Sequence, residues 1–335
     1  MAGETDTFGG AGGIGLETDF AALWGFVREQ REAEASAVRL AARFLPLGAL
    51  NEPGPALDDL AYVGKNIFSI LFLAIFASLG IPPERRAAYA LLNHAIRGIV
   101  TATDNILDDE TKSLLPLVLP KGAPRFTAVM NILLYDRMVE AAVSGFIPAK
   151  REAFTTLLTS MLFKIGEVEA EEEGGLGMLA PPAEVLARVH GERGGNLLKL
   201  AFAAPLVFEE VGTERIIIAA EGVHKIGMAL QMIDDVVDLA EDCASLKNNY
   251  LLARLLAFPD ARSIASGGWP NVLAAHPELL AEAVGRAHSS ALDGFALLGD
   301  TGFPLDREGA GRLIRALFDL RGGGELFYAV NLPAP

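Results

Sequence analysis

The stretch Gln231–Asp242 reads QMIDDVVDLAED. Asp234, Asp238 and Asp242 stand at i, i+4 and i+8, the spacing that sets three side chains in one row along a helix. The flanking residues, GMAL and QMI, are apolar, so the helix is expected to pack in a core. A row of carboxylates there is destabilising by itself, because burial penalises the charged form and the charges repel one another. Divalent cations relieve both effects, and hard oxygen donors suit Mg²⁺.

A second stretch follows the same logic. Thr101–Glu110 reads TATDNILDDE, with Asp104 and Asp108 at i and i+4 and with Asp109 and Glu110 just beyond. It too lies between apolar runs, AIRGIV before and LLPLVLP after. One such pair is ordinary on a solvated helix face; two pairs, each set in an aliphatic neighbourhood, are not. If the two helices face one another, the carboxylates form two walls of one cavity. Mg²⁺ takes few protein ligands and keeps the rest for water and phosphate oxygens, so the implied ligand is a diphosphate bridged by Mg²⁺.

Outward from these clusters the chain reads as helix. It has 335 residues, 51% of them hydrophobic, enough for one large core. Ala and Gly are abundant and β-branched runs are short, which favours helix over sheet. Helices are expected at about 84–110, 125–144, 150–173, 183–209, 213–242, 271–298 and 305–321, with Pro- and Gly-rich loops between them. Residues 1–17 read as a flexible segment, 18–322 as one all-α domain and 323–335 as a tail. The net charge of −15 speaks against a nucleic-acid partner. The single cysteine, Cys243, forms no intrachain disulfide and suits a reducing cytoplasm. The most apolar run, Ile67–Ile81, is short for a bilayer span and reads as a buried helix rather than a transmembrane segment. EVEAEEEGG (167–175) reads as a solvated helix end, and His94, His190 and His224 as packed histidines.

QMIDDVVDLAED resembles the second aspartate motif of the trans-isoprenyl diphosphate synthases, within the class I isoprenoid synthases. It includes the Gln ahead (Gln231) and the further Asp (Asp242). DNILD resembles the first motif, with Asn105 where the family has a second Asp. The resemblance implies an all-α bundle, up to three Mg²⁺ held by Asp104, Asp108, Asp234, Asp238 and Asp242, isoprenyl diphosphate substrates and a homodimer. It also implies roles for basic residues. Arg193, in the place of a Lys-Thr pair, Lys199 and Lys247 would contact the allylic diphosphate beside Gln231. Lys65, in a partial Gly-Gly-Lys-Arg loop, and Arg97, in the place of a His, would contact a second diphosphate. The arginine pair expected after the first motif is absent, and Lys112 is the nearest cation. Ile99 and Val100 stand where bulky aromatics stop chain growth in the family; with Gly98 adding space, products beyond fifteen carbons are expected.

Three functions follow from these residues. One is a prenyltransferase that elongates an allylic diphosphate with isopentenyl diphosphate. Another is a class I terpene synthase or a head-to-head coupling enzyme, which the thinner set of cations favours. The third is a non-catalytic helical partner subunit.

Overall fold

The computed structural model describes residues 21–51, 57–118, 122–173 and 178–330; the expectation of a flexible 1–17 falls outside them. Among the described residues no strand forms, and one isolated bridge pairs Leu50 with Leu117. The chain divides into two compact units. One holds the residues up to Thr155 together with Ala204–Val211, and the other holds Thr156–Ala203 together with the residues from Gly212 onward.

The first unit contains α1 (Val27–Ala42), α2 (Asp59–Ser78), α3 (Pro83–Leu107) and α4 (Pro124–Val143), and α5 (Pro148–Glu173) begins in it. Prolines start α3, α4 and α5, where their missing N–H costs no helical bond and their φ is already set. Asp58 caps α2 by accepting a bond of 2.9 Å from the Ala61 N–H. The small Ala37 and Ala41 of α1 and Ala95 of α3 leave space for Leu134, Tyr135 and Met138 of α4, and together they form one core cluster. A column of rings closes the other end: Phe146 stacks on Phe208 at 4.2 Å, and Tyr89 stacks on Phe146 at 5.6 Å.

The second unit contains a π-helix (Val185–Asn196), α6 (Thr213–Val237), α7 (Leu239–Ser245), α8 (Tyr250–Leu255), α9 (Pro277–Asp300), α10 (Arg307–Asp319) and α11 (Leu326–Ala329). Its axis is α6, which meets two neighbours backbone to backbone. A Cβ on Gly227 would stand 2.2 Å from the Gly194 carbonyl oxygen, and one on Gly222 would stand 2.7 Å from that of Gly294. No other residue permits so close an approach. The expected single helix over 183–209 is instead a π-helix followed by a 3₁₀ turn, Leu200–Phe202, and a short helix, Ala203–Phe208. Gly191, Gly194 and Gly195 weaken the ordinary α winding there, and docking against Gly227 rewards the wider one.

By length and composition α2 and α6 could each cross a membrane. Both are largely enclosed by protein, with Ile70, Ile75, Phe76, Ile233 and Val236 fully buried.

Candidate functional site

The two aspartate pairs are built alike. α3 ends at Leu107 with Asp108 as its C-cap, and the Asp108 N–H donates to the Asp104 carbonyl at 2.8 Å. α6 ends at Val237 with Asp238 as its C-cap, and the Asp238 N–H donates to the Asp234 carbonyl at 2.8 Å. Each pair therefore sits on the last turn of a long helix, where unpaired carbonyls already carry partial negative charge. Carboxylates are disfavoured in such a place and cations are favoured. The expected row to Asp242 on one helix is interrupted: the chain leaves α6 at Asp238 and resumes as α7. The Asp242 N–H still donates to the Asp238 carbonyl at 2.9 Å, which keeps Asp242 near the row.

The second position of each motif does different work. Asn105 is buried; its Nδ2 donates to the Lys112 carbonyl at 2.6 Å and its Oδ1 accepts from the Lys112 N–H at 2.9 Å. An amide meets both the N–H and the carbonyl of one residue, whereas an ionised carboxylate can only accept. Asp235 is also buried; its carboxylate meets His190 Nε2 at 2.8 Å and accepts from the Tyr250 N–H at 2.5 Å. Asn249 donates to the Asp235 carbonyl at 2.6 Å and to the Asp242 carboxylate at 2.8 Å.

In the second unit Arg193 sits beside the aspartates. Its Nε meets Glu169 at 2.7 Å and its Nη1 meets Glu172 at 2.8 Å. Burial works against its charge, but Glu169, Glu172, Asp235 and Asp242 more than offset this and raise its pKa. The described part of the 167–175 run, 167–173, is thus no plain solvated helix end. The Glu172 side chain is 6% exposed and also accepts from the Asn248 N–H at 2.9 Å. Leu246, at φ 57°, turns the chain after α7, and the Lys247 charge then acts on Asp238 and Asp242. Gln231 lines the Gly194–Gly227 crossing. Lys199, just after the π-helix, stands apart from the aspartates: its Nζ reaches Glu221 of α6 at 3.5 Å, about 20 Å along that helix from Asp234 at 1.5 Å per residue. Glu169, Glu172, Asn249 and Arg321, which meets Asp234 at 3.1 Å, are site neighbours that sequence patterns do not single out. Glu169, Glu172 and Arg321 come from segments distant in the chain, and Asn249 from the turn just after α7.

In the first unit Lys65 and Arg97 come together. Arg97 donates to the Lys65 carbonyl at 3.3 Å and to Asn66 Oδ1 at 3.1 Å. Asn66 leaves helical geometry at φ −118° and ψ 19°, a kink in α2 at the very residue that takes the arginine. The oxygens that hold Arg97 here are neutral, while Lys65 is exposed. Lys112, in contrast, pairs with Glu110 at 2.5 Å. Ile99 packs on the core cluster and Val100 is half-buried. Gly98 adds no free space, contrary to expectation, because the Tyr135 ring occupies it; a Cβ there would stand 2.4 Å from that ring.

Among the described residues no three His, Cys, Asp or Glu side chains gather tightly enough to hold an ion by themselves. Mg²⁺ needs only one or two carboxylates when water and phosphate complete its shell, and the donor set fits that pattern. Burial first, and the neighbouring aspartates after it, push the carboxyls of Asp234 and Asp242 up to about 6. Asp238 is raised in the same direction, by burial first and then Glu241 and Asp235. A divalent cation offsets both causes by stabilising the charged carboxylates.

No protein-family model and no curated protein matches the sequence. Solved structures do match it. A geranylgeranyl pyrophosphate synthetase from Pyrococcus horikoshii Ot3 is 15% identical, with a TM-score of 0.55, over 94% of this chain and 99% of that one. A geranyltransferase from Legionella pneumophila is 16% identical, with a TM-score of 0.56, over 92% of this chain and 98% of that one. A polyprenyl synthetase from Streptomyces coelicolor A3(2) is 15% identical, with a TM-score of 0.54, over 92% and 98%. At these identities the likeness is one of fold.

Proposed function

We propose, on the premise that this chain has the trans-isoprenyl diphosphate synthase fold, that it ionises an allylic isoprenyl diphosphate with Mg²⁺ and joins the allyl group to isopentenyl diphosphate. The observation that carries this is the repeated construction of two helix ends, Asp104 with Asp108 and Asp234 with Asp238, each on a helix C-terminal turn. These four and Asp242 would hold the metal, which when bound neutralises the leaving diphosphate. Lys247, beside Asp238 and Asp242, would steady that diphosphate, with Arg193, Gln231 and Lys112 as the further contacts implied by resemblance; Lys199, paired with Glu221 about 20 Å along α6 from Asp234, would not reach it. Lys65 and Arg97 would bind the second diphosphate, Lys65 from an exposed position and Arg97 from a partly desolvated one, where a guanidinium is worth more to an anion. Ile99 and Val100 would border the hydrocarbon chain. We place the enzyme in the cytoplasm, as a homodimer, with residues 18–322 acting as one catalytic domain.

A terpene synthase or head-to-head coupling enzyme is the second reading. It is favoured by the cations already engaged, Arg193 by two glutamates and Lys112 by Glu110. Incubation with five-, ten-, fifteen- and twenty-carbon allylic diphosphates, with and without isopentenyl diphosphate, separates the two. Elongated diphosphates that require isopentenyl diphosphate support the first. Hydrocarbon or alcohol from the allylic substrate alone supports the second. Neither product, with no rise in melting temperature on adding Mg²⁺ and diphosphate, would leave the non-catalytic subunit.

A further inference from the structure

Arg321 follows α10 and opens the run RGGG. The chain turns back at once: the Gly322 N–H donates to the Asp319 carbonyl at 2.9 Å, and the Gly323 N–H donates to the Phe318 carbonyl at 2.8 Å. Gly322 has φ 76°, a conformation that side chains other than glycine resist. The turn is seated on α6. A Cβ on Gly323 would stand 2.5 Å from Cγ2 of Ile233, and one on Gly322 would stand 3.5 Å from Cγ1 of Val237. Ile233 and Val237 bracket Asp234 in sequence. On the far side of the turn Leu326 and Phe327 are buried, and Phe327 stacks on Phe318 at 5.4 Å. A turn anchored at both ends thus delivers Arg321 to the first carboxylate of the row, Nη1 to Oδ2 at 3.1 Å.

We propose that Arg321 is a built-in counter-ion for Asp234, which the metal must displace or push aside to bind. The inference rests on the reading that Asp234 takes Mg²⁺. Asp234 is only 21% exposed at its side chain while Arg321 is 40% exposed, so the arginine is the partner with room to leave. A guanidinium and a divalent ion on one carboxylate repel each other strongly. Arg321 therefore weakens Mg²⁺ binding while keeping Asp234 from standing as an unpaired, partly buried charge in the metal-free chain.

The test is titration calorimetry of MgCl₂, with and without inorganic diphosphate, into the full chain and its Arg321→Gln and Arg321→Lys variants, with melting curves of each. Arg321→Gln is expected to bind Mg²⁺ about fivefold more tightly, the size of one partly exposed ion pair. It should also melt lower without metal and recover when metal is added. Arg321→Lys keeps the charge and should fall between it and the parent. Equal or weaker Mg²⁺ affinity in Arg321→Gln overturns the assignment; if that variant fails to fold, equal affinity in Arg321→Lys does so. If all forms bind Mg²⁺ alike, only the role of Arg321 fails. If none binds it at any concentration, the metal reading fails with it.

Discussion

Asn105 and Asp235 hold the same place in their two motifs, and both are buried anchors for chain that comes later: Lys112 for Asn105, Tyr250 for Asp235. The departure at Asn105 is therefore a change of anchor chemistry, because this loop presents a carbonyl as well as an N–H. Asn105→Asp restores the usual residue but turns a donor toward the Lys112 carbonyl into a second acceptor. It should lower stability by roughly 1–3 kcal/mol; a urea denaturation midpoint equal to the parent's would show that the amide donor is dispensable. His94 gives a second residue-scale expectation. Burial, and after it the Arg97 charge, pushes its pKa down to about 4, and its Nε2 has no partner. The folded chain thus favours neutral His94 more than the unfolded chain does. That stability is fully present above the ordinary histidine value of about 6.5 and is lost as pH falls from there through about 4, roughly 3 kcal/mol in all. His94→Leu should remove most of that loss, and a pH series of denaturation midpoints that stays parallel to the parent's would count against it. The i, i+4 aspartates were legible as a row because helical spacing alone sets it. The anchoring amide was not, because its partner is a backbone group.

At the scale of elements, α6 does most of the positioning. Its apolar length reads directly from the sequence, but its neighbours do not, because a glycine in a helix gives no sign of what comes close to it. Gly227 meets Gly194 of the π-helix and Gly222 meets Gly294 of α9, and these contacts set where Arg193 stands relative to the aspartates. Gly227→Ala puts a methyl group into a backbone carbonyl and should cost about 1–3 kcal/mol, read as a lower melting temperature. Retention of the parent melting temperature would mean that the two helices separate easily. The acidic end of α5 shows the same limit. Glu169 and Glu172 look like solvent-facing charge until tertiary structure brings Arg193 to them.

At the scale of the whole molecule, α4 carries Phe126, Val129, Met130 and Leu133 on its exposed side, each more than a third exposed. They recur at i, i+3, i+4 and i+7, one face of a helix, and an apolar ridge of this kind marks a contact surface. If it is the homodimer face, Leu133→Glu should yield a monomer by light scattering while circular dichroism stays unchanged; a dimer that survives the substitution would place the interface elsewhere. Helix content, the two aspartate pairs and the apolar core helices were determined by the sequence itself, since periodicity and residue type act over one or two turns. The helical class needs no long-range contact to be read. Which charges are free and which are spent was decided only by tertiary structure. Arg193 is held by two glutamates, Lys112 by one and Asp234 by Arg321. The reason is that an ion pair depends on distances of a few ångströms between segments far apart in the chain, and no local pattern encodes those distances.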